Sequence, residues 1–195
     1  ENCTEDGFVR RITRTWTATD DCGNTCDTYT QVITIIDTEA PVWITAPGSL
    51  DGSYECDDIE GIDGANAKAP VAEDNCDITV FVSQPNVSVE IGNCAEDGYL
   101  KRITRTWIAA DDCAHESVVF TQVITIVDET APVIGEVQPI GTCYQEEALA
   151  EEDAIVAVTE VTQDACSENL TYSAETSYGT SCSATVTVTV TDECG

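Results

Sequence analysis

The feature that most constrains this chain is a stretch that occurs twice, first from Arg11 to Val42 and again from Arg102 to Val133. Both copies follow the pattern RITRTW…DDC…TQVITI…D…APV, and they lie 91 residues apart with no insertion or deletion. Residues 2–42 and 93–133 share 25 identical positions. Self-similarity at a fixed period of this size predicts a tandem array of small domains rather than one continuous fold.

The repeat divides the chain into three predicted domains. We expect residues 1–39 to be the C-terminal half of a repeat, residues 40–130 a complete repeat, and residues 131–195 a shortened repeat that lacks its last strand. The sequence is then expected to be one section of a longer array, with any export signal in another section. A repeat of 91 residues can bury one core but has little stability to spare.

Residues that favour β-structure alternate with polar ones along most of the chain. Phe8 to Thr19 and Tyr29 to Ile36 predict two strands joined by a turn at residues 20–24, and residues 185–191 alternate Thr and Val without a break. The complete repeat contains about seven such runs, separated by turn residues. This pattern favours an all-β fold of tandem immunoglobulin-like antiparallel β-sandwich repeats.

Short junctions that contain proline separate the repeats, at residues 37–41 and 128–132. Proline fixes its own φ and biases the preceding residue toward an extended backbone, so we expect the repeats to form a semi-rigid rod. Within the repeats, residues 57–67 are expected to form a loop. Residues 146–157 are the one stretch of helical composition, and we expect a single helical turn there.

The charge of the chain excludes several classes of partner. The chain has 7 Lys and Arg residues against 37 Asp and Glu residues, for a net charge of −30. Such a surface repels phosphate backbones and anionic membrane leaflets, so neither nucleic acid nor a membrane surface is expected as a partner. No apolar run approaches the length of a membrane span, so direct membrane insertion is not expected either.

Eleven cysteines in such small repeats indicate an oxidising compartment and disulfides that support thin cores. A zinc site is disfavoured, because the chain has no CxxC pair. The complete and shortened repeats have four cysteines each, which allows three pairings in each. Since loops at one end of an immunoglobulin-like sandwich meet, our preferred pairs are Cys76–Cys113, Cys56–Cys94, Cys166–Cys194 and Cys143–Cys182. Cys3 and Cys22 are expected to lose their partners to the missing half-repeat, and the role of Cys26 stays open.

Calcium is the sharpest site hypothesis. Acidic residues recur at loops and junctions, where carboxylates and backbone carbonyls can supply the roughly six to eight oxygens that Ca²⁺ takes. The candidate ligands are Asp20, Asp21, Asp37, Asp74, Asp111, Asp112 and Asp128. The alternative is that these groups only solubilise the surface and form Asx turns. No other cofactor is expected.

The RTW strand holds the remaining candidate site. Arg14 and Arg105 share a strand face with the following tryptophan, and we expect the arginine stem to pack on the ring while the guanidinium pairs with a carboxylate. Ligand recognition by this arginine is the alternative. Catalysis is not expected, because a Ser/His/Asp site needs His115, and the first copy has Asn24 at that position.

The run from Arg14 to Asn24, the following strand, the Asp37 to Pro41 junction and the Asp74-Asn75-Cys76 triplet resemble the hyalin-type (HYR) repeat. The version with extra cysteines is similar to arrays in giant cell-surface adhesins of Bacteroidota, including gliding-motility adhesins. The shortened repeat departs from the pattern, because it lacks the TW motif.

This resemblance implies an immunoglobulin-like sandwich, type IX secretion and extracellular display at the cell surface. It also implies adhesion or filament formation, with neighbouring repeats of the same chain or filament as partners and a cell-surface or substratum ligand. The expected function is therefore the mechanical stalk of a large adhesin rather than an enzyme. The alternatives are a carbohydrate- or protein-binding module and a filament subunit that assembles by strand donation.

Overall fold

The computed structural model describes residues 3–76, 79–141, 143–179 and 183–195. Its helices are α1 (Cys3–Asp6), α2 (Ile59–Ala67), α3 (Cys94–Asp97) and α4 (Glu147–Thr159). Its strands are β1 (Arg10–Trp16), β2 (Tyr29–Ile35), β3 (Val42–Trp43), β4 (Gly52–Glu55), β5 (Ala72–Glu73), β6 (Phe81–Val82), β7 (Asn86–Ile91), β8 (Lys101–Trp107), β9 (Ala109–Ala110), β10 (Phe120–Val127), β11 (Val133–Ile134), β12 (Thr162–Gln163), β13 (Thr171–Tyr178) and β14 (Ala184–Thr191).

Strands outnumber helices, so the prediction of a mainly β fold is confirmed at that level. The sheets are small: within the described residues, one sheet has four strands in the order β4-β10-β8-β7, and five others are pairs. This arrangement is not clearly an immunoglobulin sandwich. The strands are also not all antiparallel, because β10 runs parallel to β4, with Ile124 opposite Gly52. A long connection permits such a parallel pair.

The first hairpin, β1 with β2, closely follows the predicted strands. The two strands pair antiparallel from Arg10 opposite Ile35 to Trp16 opposite Tyr29. Alternation places the larger apolar side chains on one face, but most of that face is open to solvent. Trp16 is 48% exposed and Tyr29 is 67% exposed.

The matching strands of the complete repeat bury the same positions. Ile103, Ile124 and Ile126 form a core cluster with Ala65 of α2. The prediction of a loop at 57–67 is wrong there, because residues 59–67 form a helix. Two glycines lower the helix propensity of this segment, but Ala65 is only 1% exposed against the cluster. Burial of an apolar stripe thus outweighs propensity.

In the described residues, the shortened repeat consists of α4, the β13–β14 hairpin and the short antiparallel pair β11–β12. Strands β13 and β14 pair antiparallel from Thr171 opposite Thr191 to Tyr178 opposite Ala184, which confirms the strand predicted at 185–191. The prediction of a single helical turn at 146–157 is wrong, because α4 spans 13 residues and contacts both strands. It buries Ala154 and Val158, which lie four residues apart on one helical face.

Two compact units divide the chain. The first comprises Glu1–Leu50, Lys68–Val87 and Thr104–Gln122, and the second comprises Asp51–Ala67, Ser88–Ile103 and Val123–Gly195. Residues of the complete repeat belong to both units. None of the helices in the described residues has the length and apolar character that crossing a bilayer requires.

Candidate functional site

Three disulfides join cysteines that are far apart in sequence. Cys3 binds Cys113 within the first unit, and Cys56 binds Cys166 and Cys94 binds Cys194 within the second. The sequence separations are 110, 110 and 100 residues, so each bond joins two different predicted repeats. The Cα–Cα distances of 4.7, 5.6 and 4.9 Å lie in the range that disulfides require.

The first and third bonds join cysteines at equivalent positions of successive repeats. Cys3 and Cys94 each begin a four-residue helix with the sequence Cys-x-Glu-Asp, followed by a glycine with positive φ. Their partners, Cys113 and Cys194, each follow an aspartate by two residues in a tight turn. The disulfides therefore form a series that repeats along the chain.

The predicted disulfide pairing is wrong for three of its four pairs. Cys113 binds Cys3 rather than Cys76, Cys56 binds Cys166 rather than Cys94, and Cys194 binds Cys94 rather than Cys166. The fourth expected pair, Cys143 with Cys182, involves a cysteine that lies outside the described residues. The prediction assumed that each repeat closes its own bonds, and that assumption also left Cys3 without a partner. Cys22, Cys26 and Cys143 are exposed thiols.

Five of the cysteines lie in a recurring Asp-x-Cys turn. In five turns the aspartate Oδ1 accepts a hydrogen bond from the cysteine N–H two residues later, at 2.7 to 2.9 Å. The aspartates are Asp20, Asp74, Asp111, Asp164 and Asp192. Three of the predicted calcium ligands thus have one carboxylate oxygen engaged in an Asx turn, which fixes the direction of the cysteine backbone.

The junction aspartates, Asp37 and Asp128, are buried and lie close to other acidic side chains. Asp37 is 8% exposed, and one of its oxygens lies within 4.8 Å of ligand atoms of Asp74 and Cys76. Asp128 occupies the equivalent position one repeat later and is 6% exposed. It lies within the same distance of Glu55 and, separately, of Asp192. Asp21 and Asp112, by contrast, are exposed and belong to no such group among the described residues.

The two junction carboxylates differ in their hydrogen bonds. Asp128 Oδ2 accepts a hydrogen bond from the Ser167 hydroxyl at 2.9 Å. Asp37 Oδ1 accepts one from the Glu39 N–H at 3.1 Å, but its buried Oδ2 has no hydrogen-bond partner among the described residues. The residue equivalent to Ser167 in the preceding repeat is Asp77, which lies outside them. A buried carboxylate oxygen without a partner is costly, so Asp37 is the better candidate for a cation.

The side chain of His115 lies close to this acidic group. Its Nδ1 lies 2.8 Å from Asp111 Oδ2, and this hydrogen bond, with smaller contributions from the charges of Asp37 and Asp74, raises the pKa of His115. In the first hairpin, Asn24 donates from its side chain to Asp20 Oδ2 at the same distance of 2.8 Å. The histidine therefore closes a turn, as the asparagine does.

Arg105 packs on Trp107 as predicted, with the guanidinium carbon 4.8 Å from the ring centroid. The prediction that its guanidinium pairs with a carboxylate is wrong. The guanidinium instead donates to the side-chain oxygen of Gln122 at 2.9 Å and to the carbonyl of Lys68 at 3.0 Å. Gln122 is fully buried and donates onward to the Leu50 carbonyl at 2.8 Å. Arg105 thus satisfies a buried polar group.

A cavity of about 1000 Å³ lies in the shortened repeat, between α4 and the β13–β14 hairpin. Its lining mixes apolar residues, such as Ile134, Ala154 and Val188, with polar ones, such as Gln138 and Glu146. Tyr144 and Tyr178 also line it. Size and lining are in the range of small-molecule sites, so this cavity is the strongest candidate pocket in the part of the chain that the structure describes.

Comparisons with known proteins found no match: no family model, curated protein or solved structure matches the chain.

The sequence did not reveal Glu55 and Ser167 as neighbours of Asp128. Neither residue belongs to an acidic pair or to a recognisable ligand motif, so no local signal points to them.

Proposed function

We propose that this chain is a structural repeat segment of a large extracellular adhesin or filament, with a mechanical stalk role. The observation that carries the proposal is the disulfide series, in which each bond joins two repeats. Disulfides belong to oxidising compartments, and the net charge of −30 keeps neighbouring filaments apart. On this proposal the repeats are immunoglobulin-like and belong with the hyalin-type arrays that they resemble.

The covalent topology limits how far the chain can be stretched. Between Cys3 and Cys194 the backbone runs for 191 residues, and at about 3.5 Å per residue it could extend to about 670 Å. With the disulfides closed, a shorter covalent path crosses from Cys3 to Cys113, follows the backbone for 19 residues to Cys94, and crosses to Cys194. With about 5 Å for each disulfide crossing, that path extends to only about 75 Å. Such a segment transmits force while most of its residues stay unstretched.

Single-molecule force spectroscopy tests this role. The chain is pulled from its two ends in oxidising buffer and then in a disulfide reductant. We expect the maximal extension to increase about ninefold on reduction, from the short covalent path to the full backbone. A full-length extension in oxidising buffer would contradict the mechanical proposal. The exposed-thiol variant Cys143→Ala serves as the matched control and should behave as the parent protein does.

We also propose that the Asp37 junction binds calcium and stiffens the rod. Two observations support it: the buried Asp37 Oδ2 has no hydrogen-bond partner among the described residues, and one oxygen of the Asp37 carboxylate lies within 4.8 Å of a carboxylate oxygen of Asp74. Calorimetric titration with Ca²⁺ tests the idea. Heat and a higher Tm are expected for the parent chain and for Asp21→Asn, but not for Asp37→Asn. Equal responses in both variants would remove this site.

The second candidate function is assembly by strand donation, which the pairing of β14 supports. Strand β8 lies between two neighbours in the four-stranded sheet, whereas the equivalent β14 pairs with β13 alone within the described residues. The cavity lies along the same strand, since Val186 and Val188 line it. A peptide with the sequence of residues 120–127 should then bind and protect β14 amides from hydrogen exchange. A peptide with the same composition in scrambled order is the control.

A further inference from the structure

The loop around Cys22 has the shape of a loop that forms a disulfide. Asp20 Oδ1 accepts from the N–H groups of Cys22 at 2.9 Å and Asn24 at 2.8 Å. In the equivalent loop of the complete repeat, Asp111 Oδ1 accepts from Cys113 and His115, both at 2.8 Å. Residue 23 and residue 114 both have positive φ, at 85° and 68°. Cys22 is therefore held in the same way as Cys113.

The hairpin that carries Cys22 also exposes a face that its equivalent buries. Trp16 is 48% exposed where Trp107 is 2% exposed, and Tyr29 is 67% exposed where Phe120 is 3% exposed. The same contrast holds farther along, where Ile35 is 40% exposed and its equivalent, Ile126, is 6% exposed. A row of large apolar side chains left in water at these positions indicates that something of matching shape belongs on this face.

The complete repeat shows what covers such a face. The ring of Trp43 lies 5.4 Å from that of Phe120, and its Nε1 donates to the Val118 carbonyl at 2.7 Å. Around Ile126, the cover is the small side chain of Ala65 with its helical neighbour Ile62. By this equivalence, the cover that fits the first hairpin is the N-terminal half of a repeat, which brings a junction aromatic and a helix with small apolar residues.

The bond itself defines the reacting cysteine of that partner. Cys113 and Cys194 each bind the first residue of a Cys-x-Glu-Asp-Gly turn, Cys3 and Cys94 respectively. At the first of these bonds, the Thr4 hydroxyl also donates to the Asp112 carbonyl at 2.8 Å. The turn and the Asp-x-Cys loop are therefore complementary in hydrogen bonding as well as in their thiols.

We propose that Cys22 is an inter-repeat disulfide site, whose partner is the first cysteine of a Cys-x-Glu-Asp-Gly turn in another repeat of this kind. The S–S bond forms as the two thiols lose two protons and two electrons. A disulfide oxidant, either a small molecule or an enzyme, takes up both and is reduced to two thiols. The inference rests on the proposed array for the supply of the second repeat, but it does not need the mechanical role.

Disulfide mapping of the native protein tests the proposal. The protein is isolated from the cells that make it, without reductant and with free thiols alkylated, and its unreduced peptides are identified by mass spectrometry. The Cys22 peptide should be joined to a peptide with the Cys-x-Glu-Asp-Gly sequence. If reduction lowers the mass of the denatured protein, the cysteine joined to Cys22 belongs to a second molecule. If the mass does not fall, that cysteine belongs to the same polypeptide. Alkylated Cys22, or Cys22 joined to Cys26 or to another cysteine, overturns the proposal.

A second experiment uses the full chain alone. The variant Cys113→Ser leaves Cys3, a cysteine of the right kind, available for a second molecule. In a thiol–disulfide buffer we expect covalent dimers in which Cys3 is joined to Cys22. These dimers should persist in Cys26→Ser/Cys113→Ser and be lost in Cys22→Ser/Cys113→Ser.

Dimers joined through Cys26 or Cys143 instead would contradict the assignment, as would monomers that retain the parent circular dichroism spectrum. Neither failure would affect the force measurement, which depends on Cys3, Cys94, Cys113 and Cys194 of one molecule. The two proposals can therefore fail separately.

Discussion

Removal of the Cys56–Cys166 bond is the most direct test of the disulfide series. The variant Cys56→Ala/Cys166→Ala keeps two small side chains at these positions and introduces no new thiol. The bond closes a loop of 110 residues, for which loop-closure entropy gives about 4.8 kcal/mol of stabilisation at 25 °C. The intact Cys94–Cys194 bond already shortens that loop in the unfolded chain, so we expect a loss of about 4 kcal/mol.

Urea unfolding followed by circular dichroism measures this loss, and thermal unfolding should show a decrease in Tm of about 10 °C. The exposed-thiol variant Cys143→Ala is the matched control and should unfold as the parent does. In a disulfide reductant the difference between the parent and the double variant should largely disappear, because neither then has the bond. A loss below about 1 kcal/mol in oxidising buffer would refute the reasoning, since the entropy of a loop this long cannot be so small.

Three further predictions concern packing, backbone conformation and pH. Trp107→Ala should cost about 3–5 kcal/mol in urea unfolding, because the ring is 2% exposed. Ala114→Gly should stabilise the chain by about 1 kcal/mol, since Ala114 has a left-handed φ of 68°. The pKa of His115 is raised by Asp111, so its stabilisation should be complete below about pH 6.5 and decrease as pH rises through the raised pKa. Thermal unfolding of the parent and of His115→Asn between pH 6 and pH 9 measures this, with the larger Tm difference at the lower pH.

The first hairpin supplies a matched control for each of these. Trp16→Ala should cost only about 0.5–1.5 kcal/mol, because this ring keeps about half its surface in water and packs against the exposed ring of Tyr29. Gly23→Ala, at the position equivalent to residue 114, should destabilise by about 1 kcal/mol, since Gly23 has a φ of 85°. Asn24→His should create a pH dependence of the same sign as that of His115. Equal costs for Trp16→Ala and Trp107→Ala would contradict the difference in burial.

The strands and the repeat could be predicted from sequence because alternation and self-similarity are local signals. The hairpin at residues 10–35 and the strand at 184–191 were both located in this way. The two longer helices were not, because α2 contains two glycines and both helices depend on burial of Ala65, Ala154 and Val158. Burial against distant strands leaves no periodic mark in so short a segment.

The candidate sites show the same limit. The acidic residues were correctly placed at loops and junctions, but their sequence positions do not separate the buried Asp37 from the exposed Asp21. The disulfide partners lie about 100 residues apart, beyond the single repeat within which pairing was sought. Arg105 packs on Trp107 as the strand pattern predicts, yet its partner Gln122 belongs to another strand, whose register depends on tertiary structure.

The overlap of the three disulfides has a consequence for damage. The spans 3–113, 56–166 and 94–194 together enclose every backbone bond from Cys3 to Cys194. A single cut by a protease anywhere in that interval opens one or more closed loops but leaves the two fragments joined. The molecule therefore tolerates a first backbone break without separating, and continuity along the chain is lost only after further breaks or reduction. A protein exposed outside the cell can in this way be nicked and still hold together.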